Sequence, residues 1–174
     1  MTDIGLTMVP GWETTTIPAT IQNWFDQLQA NPLLGLRNLD LLNIVISFIQ
    51  IPMFLALFGV YRKESQAFAI LALIVWLMGI SLFISNNAAL PMFDLSTRYS
   101  DISTEFQRAA IEGAGIALLA RGAHGSIGSF MGFFLSSIGP LLFGLLMLRG
   151  KLFSRFAAWV GIVGITLLII YTIG

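Results

Sequence analysis

The chain has 174 residues, of which 56% are hydrophobic and only 10% are charged. Soluble domains carry about 25% charged residues, so this composition indicates a membrane protein. The net charge is zero, which argues against nucleic-acid partners, and a chain without cysteine forms neither disulfides nor thiolate-ligated metal sites.

Residues 1–38 are predicted to form an N-terminal segment on the outer side of the membrane. The first residues are polar and lack the basic start and apolar core of a secretory signal peptide. Apolar side chains then recur at helical spacing, which predicts a short amphipathic helix over 19–30, lying in the outer interface. These side chains are Ile21, Trp24, Phe25 and Leu28.

The transmembrane bundle is predicted to occupy residues 39–174, and its first two spans are expected at about 39–61 and 67–85. Each apolar run is close to the roughly 20 residues that a bilayer crossing needs. The first span carries Asn43, Ser47 and Gln50 at i, i+4 and i+7, so these three side chains form one polar stripe along an apolar helix.

The segment 86–122 is the longest charged region between apolar runs. Asn86, Asn87 and Pro91 favour a turn after the second span. Thr104 followed by Gln107 fits a capping box, which predicts a single interfacial helix from residue 105 to residue 121.

The third and fourth spans are expected at about 126–148 and 156–174. Small residues recur every four positions along the third span, which is how helices pack closely in lipid. The members of this small-residue ridge are Gly128, Gly132, Ser136 and Gly144. The spacing leaves open whether the ridge faces the bundle interior or a partner.

The two short loops after the first and third spans carry five of the nine basic residues and one acid. By the positive-inside rule both loops are cytoplasmic, and both termini and the 86–122 segment are outside. The predicted fold is therefore an all-α membrane protein with four transmembrane helices arranged as two antiparallel hairpins, and with amphipathic interfacial helices on the outer side.

Three stretches resemble the bacterial domain-of-unknown-function family numbered 4386: SNNAALPMFDLSTRYS, TEFQRAAIEGAGIALLA and MLRGKLFSRFAAWVGIVG. The resemblance extends over roughly residues 31–170. It implies a multi-pass protein of the bacterial cytoplasmic membrane with no assigned activity, and it supplies no catalytic residues.

The polar stripe has two interpretations. It could supply interhelical hydrogen bonds, each worth roughly 0.6 kcal/mol, and this is the simpler interpretation. Alternatively, it lines a ligand pocket, with Ser81, Ser129 or Ser136 across from it.

His124 is the only histidine, and Glu112, Asp94 and Asp101 are the acids expected near it. A lone histidine without further ligand spacing is more often an interfacial residue bonded to backbone or lipid headgroups than a base or metal ligand. His124 with Glu112 nevertheless forms a candidate site on the outer face.

Three functions agree with these patterns. The first is a non-enzymatic accessory or structural subunit that packs through small-residue helix faces against a membrane-protein partner or a second copy. The second is a carrier of a small molecule or lipid that uses the polar stripe. The third, and least favoured, is an intramembrane enzyme. No catalytic residue, metal or cofactor is predicted, and the partner common to all three is the lipid bilayer.

Overall fold

The computed structural model of the protein describes residues 17–150 and 152–173, with side chains described as far as Tyr171. Every regular element in these residues is a helix, as the composition predicts. In chain order they are α1 (Ile21–Ala30), α2 (Pro32–Asn38), α3 (Leu41–Tyr61), α4 (Gln66–Asn86), α5 (Ala89–Ser100), α6 (Glu105–Gly122), α7 (Ile127–Arg149) and α8 (Arg155–Ile173). Residues 1–16 of the predicted outer segment, Lys151 of the second basic loop and Gly174 lie outside the described residues.

The four segments predicted as spans are helical and correspond to α3, α4, α7 and α8. Within the described chain, three helical stretches are long and apolar enough to cross a membrane: Leu41–Tyr61, Gln66–Ser100 and Glu105–Arg149. The apolar residues of the second and third stretches are concentrated in α4 and α7. The apolar part of α8, Arg155–Tyr171, is shorter.

Helices α4 and α7 form the most extensive helix–helix contact, and glycine makes it possible. A Cβ atom added at Gly132 of α7 would lie 2.7 Å from Cβ and 2.8 Å from Cα of Phe83 on α4. One turn further along α7, the backbone of Ser136 lies against Gly79 of α4, where an added Cβ would also collide. Small side chains therefore let the two backbones approach each other.

The other glycines of the small-residue ridge also lie against helices of the same chain. An added Cβ at Gly144 would lie 2.7 Å from Cγ1 of Ile162 on α8, and one at Gly128 would lie 3.0 Å from Cβ of Asn86. The structure thus answers the question that the spacing left open. The ridge is covered by residues of α4, α6 and α8, so this face is not free for a partner.

Helices α3 and α8 flank the central pair. Phe54 of α3 packs between Trp76 of α4 and Phe143 of α7. The centroid of its ring lies 4.2 Å from that of Trp76 and 5.7 Å from that of Phe143. This aromatic cluster joins α3 to the pair at the end where α3 finishes. Helix α8 packs on α7, whereas α3 and α8 make little contact with each other. A groove is therefore left between them.

Helices α1, α2, α5 and α6 pack together at the end of the bundle where α3 and α7 begin, and we call this unit the cap. The apolar face of α1 is buried against Ala88, Ala89 and Met92. The amphipathic helix predicted at 19–30 is thus present, but its apolar face packs on α5 rather than on lipid. Buried Asn87 ties the cap to the bundle, because its Nδ2 donates to the carbonyl of Leu39 at 2.9 Å and its Oδ1 accepts from N–H of Ala89 at 2.9 Å.

Two expectations for the 86–122 segment were wrong. Helix α5 was not predicted, because Pro91 was read with the asparagines as a turn. Pro91 instead lies in the first turn of α5, where the missing N–H has no intrahelical partner to lose. The capping box at α6 is not formed either, since the hydroxyl of Thr104 donates to Oε1 of Gln107 at 2.8 Å and caps no backbone N–H.

Candidate functional site

The polar stripe of α3 lines a cavity. Asn43, Ser47 and Gln50 all border a partly open space of about 340 Å³ that is lined by residues of α3, α4, α7 and α8. Ser136 of α7 lies across from them, as one interpretation of the sequence expected, and Ser137 lies beside it. The opposite wall is apolar and includes Ile165 and Leu168 of α8.

Two other predicted serines are elsewhere. Ser81 is exposed on α4 and is not among the described residues that line the cavity. Ser129 is buried near the start of α7, where its hydroxyl donates to the carbonyl of Gly122 at 3.3 Å. Neither faces the stripe.

In the described residues, the polar stripe forms no hydrogen bonds between helices. The hydroxyl of Ser47 donates to the carbonyl of Asn43 at 2.7 Å, one turn back on the same helix. The amide of Asn43 donates to Asp40, just before α3, at 3.0 Å. Within the described chain, no hydrogen bond joins Asn43, Ser47 or Gln50 to another helix. The side-chain oxygen Oδ1 of Asn43 and the side-chain amide of Gln50 are therefore left to interact with whatever occupies the cavity.

A second cavity, of about 600 Å³, adjoins the first on the cap side. Asn43, Phe133 and Leu168 border both, so the two spaces form consecutive parts of the groove between α3 and α8. We call the second part the mouth. Volumes of this size fall in the roughly 300–1,000 Å³ range of small-molecule sites. The mouth is also lined by His124 and by Phe130 and Tyr171.

One carboxylate, that of Asp40, lies behind the mouth and contacts two of its lining residues, His124 and Asn43. Asp40 lies between α2 and α3 with φ +63°, a left-handed conformation that Asp adopts more readily than most residues. Its Oδ2 lies 3.1 Å from Nδ1 of His124, and its Oδ1 accepts the Asn43 amide at 3.0 Å. An ionised carboxylate can only accept, so Nδ1 of His124 carries the proton and Nε2 is directed away from Asp40.

The partner of His124 differs from the acids that the sequence suggested. Glu112 accepts a hydrogen bond from the hydroxyl of Tyr99 at 2.6 Å, within the cap. Asp94 pairs with Arg98 at 3.0 Å on the surface of α5. The structure therefore does not join His124 and Glu112 in one site. Reasoning from sequence missed Asp40. The only local indication of its role is its spacing from Asn43, three positions later, which allows the hydrogen bond between the two side chains.

The described residues contain no group of three His, Asp or Glu side chains placed to hold a metal ion. What the groove offers is a polar wall on α3, an apolar wall on α8 and an oriented imidazole at the mouth. This arrangement can hydrogen-bond a polar group at one end of a molecule and surround an apolar chain attached to it.

A family model described as "Domain of unknown function (DUF4386)" matches residues 26–174, which is most of the chain. The chain therefore belongs to this family, and the resemblance seen in the sequence is confirmed. No curated protein and no solved structure matches the chain.

Proposed function

We propose that this member of a family without an assigned function is a multi-pass membrane protein that binds a small amphipathic molecule in the groove between α3 and α8. One observation carries the proposal. Asn43, Ser47 and Gln50 line the groove and form no described hydrogen bond to another helix. Polar side chains in a span usually pair across helices, because an unpaired amide in an apolar medium is costly. A bound ligand would supply the missing partners.

The shape of the groove supports an amphipathic occupant rather than a wholly polar one. The α8 wall presents Ile165 and Leu168, and the α3 side adds Met53 and Phe54 below the stripe. Burial of an alkyl chain against such side chains contributes about 25 cal/mol per Å² of apolar surface. The polar wall then selects molecules that carry hydrogen-bonding groups beside the chain.

We further propose the membrane arrangement for this function: four spans, α3, α4, α7 and α8, as two antiparallel hairpins in the bacterial cytoplasmic membrane. The basic loops at 61–64 and 149–155 would be cytoplasmic, and the cap and both termini would be outside. The mouth of the groove would then face the outer leaflet.

Cysteine labelling tests this arrangement cleanly, because the chain contains no cysteine. Gln66→Cys, at the start of α4, marks the side of the first basic loop, and Ser100→Cys marks the side of the cap; both positions are exposed. A membrane-impermeant maleimide applied to intact cells should label Ser100→Cys alone. Labelling of Gln66→Cys alone would invert the arrangement.

The binding function is tested by retention of a ligand. The parent protein, purified in nanodiscs and examined by native mass spectrometry, should carry a defined small molecule. Asn43→Leu combined with Gln50→Leu should abolish this retention, whereas Ser81→Leu, a polar-to-leucine change on α4 outside the groove, should preserve it. Undiminished retention by the double variant would end the proposal.

A second candidate is the accessory subunit, and α8 is the face that favours it. Gly161 and Gly164 lie on α8, and a Cβ atom added at either would meet nothing within 4 Å. Such a small-residue face can receive another helix in lipid. Gly161→Leu should then remove a co-purifying partner or a second copy without changing the fold. An unchanged assembly would rule out this face.

A further inference from the structure

The charge at the mouth of the groove is negative or zero in either protonation state of His124. Asp40 supplies one negative charge, and its side chain is only 13% exposed. With a neutral imidazole the Asp40–His124 pair carries this single negative charge, and with an imidazolium it carries none. The pair is never positive, so it offers no net attraction to an anionic headgroup.

The described residues that line the groove include no lysine or arginine. Arg121 is the arginine that precedes His124 by three positions, and its guanidinium donates to Oδ1 of Asn86 at 2.6 Å and to the carbonyl of Ser85 at 3.4 Å. It is therefore held at the end of α4. Phosphate sites generally present arginine, lysine or a series of backbone N–H groups, and the mouth lacks the first two in its described lining.

Three of the other residues that line the mouth are aromatic. Phe130, Phe133 and Tyr171 place three aromatic rings around it, and the faces of such rings attract cations. The His124 ring meets Phe133 edge to face, with centroids 6.4 Å apart. Aromatic rings with a carboxylate nearby are a combination by which proteins recognise alkylammonium groups.

We propose that the groove takes a lipophilic ammonium compound, with its cationic headgroup in the mouth beside His124 and the three rings, attracted by the charge of Asp40 behind His124, and with its alkyl chain between α3 and α8. This inference rests on the proposed function and names the ligand class for the same groove. The alkyl chain would extend past Ser47 and Gln50 toward Trp76, whose indole borders the first cavity.

Quenching of Trp76 fluorescence by a bromine at the end of the chain reports such binding. Three probes share one chain and differ in headgroup charge: (11-bromoundecyl)trimethylammonium, 11-bromo-1-undecanol and 11-bromoundecyl phosphate. They are titrated into protein in maltoside micelles, which carry no charge and no competing ammonium. The same titration of Trp76→Phe gives the contribution of the other tryptophans, which is subtracted.

The ammonium probe should quench Trp76 at roughly tenfold lower concentration than the alcohol, as expected of one charge contact at the edge of an apolar site, and the phosphate should be the weakest. Asp40→Asn should bring the ammonium and alcohol probes to similar concentrations. Asparagine adopts the left-handed backbone of position 40 as readily as aspartate, and its carbonyl can still accept a hydrogen bond. Asp94→Asn, which removes one acid from the cap surface, should leave the tenfold ratio unchanged.

The outcomes separate the two proposals. An ammonium preference that Asp40→Asn alone abolishes supports the inference. Equal or tighter binding of the alcohol or phosphate by the parent protein overturns the ammonium headgroup but keeps a ligand in the groove. Failure of all three probes to quench Trp76 beyond the Trp76→Phe background overturns both. Because the parent ratio alone decides among the headgroups, the test stands even where Asp40→Asn does not fold.

Discussion

Replacing Gly132 by alanine adds a single methyl group at the closest approach of α4 and α7. The new Cβ would lie 2.7, 2.8 and 2.9 Å from Cβ, Cα and N of Phe83. Two of these three atoms belong to the backbone of α4, so no side-chain rotation relieves the contact. The helices must therefore separate, or α4 must bend, by about 0.7 Å to restore an ordinary carbon–carbon distance of roughly 3.4 Å or more.

The magnitude follows from two opposing effects. Overpacking of a close contact costs about 1–3 kcal/mol, and backbone neighbours place this site toward the upper end. Alanine is favoured over glycine in a helix by about 1 kcal/mol, which offsets part of that cost. A matched control cancels the second effect. Gly161→Ala makes the same change on α8, where the added Cβ would meet nothing within 4 Å. The difference between the two variants should be about 1–3 kcal/mol, with Gly132→Ala the less stable.

Reversible unfolding in mixed micelles of increasing dodecyl sulfate content gives the two free energies of unfolding. Equal stability of Gly132→Ala and Gly161→Ala would show that α4 and α7 are not in the close contact described above. The same contact determines what Gly132→Leu should do. A substitution on a free partner face would disrupt only assembly, whereas at this position it should disrupt the fold of the monomer.

Three further substitutions test individual side chains. Tyr61→Phe should raise stability by up to about 1 kcal/mol in the same unfolding assay, because the buried Tyr61 hydroxyl has no hydrogen-bond partner in the described part of the chain, and a lower stability would reveal one. Asn87→Ala should cost about 2 kcal/mol or more, since it leaves a carbonyl and an N–H unpaired, while exposed Ser85→Ala should stay within about 0.5 kcal/mol; similar losses in both would contradict the bridging role of Asn87. Ser47→Ala should weaken ligand retention with little change in stability, because the Ser47 hydroxyl donates only to its own helix, and a large loss of stability would contradict this.

Local patterns in the sequence were sufficient for the main helices. The runs behind α3, α4, α7 and α8 are long and apolar, so their helical state follows from length and hydropathy. The stripe of Asn43, Ser47 and Gln50 was also predictable, because spacing within one helix decides which side chains share a face. What occupies the space opposite that face depends on how other helices pack, and spacing contains no information about that.

The cap was predicted less well for the same reason. The apolar face of α1 was identified correctly, but its burial on α5 could not be, because a surface that suits the membrane interface equally suits a protein neighbour. Helix α5 itself was missed because a proline near two asparagines reads as a turn unless the start of the helix is known.

The mouth of the groove illustrates the limit most clearly. Asp40 and His124 are 84 positions apart, and each lies in a connection between helices. The first connection contains Asp40 itself with φ +63°, and the second contains Gly125, next to His124, with φ +81°. Neither connection has a periodic pattern that would reveal its conformation. The sequence therefore indicated other acids as partners of His124, and only the tertiary arrangement brings Asp40 to it.

The small-residue ridge and the groove are two consequences of one packing arrangement. Because glycines let α4 and α7 approach closely, these two helices fill the centre of the bundle, and α3 and α8 are held on either side of them. Flanking helices that a central pair keeps apart cannot pair their polar residues with each other, so the stripe of α3 faces an open groove. A bulky residue at Gly132 should consequently reduce both stability and ligand retention, although it lies outside the described lining of the groove. A variant that lost stability but retained the ligand fully would show that the groove does not depend on the α4–α7 contact.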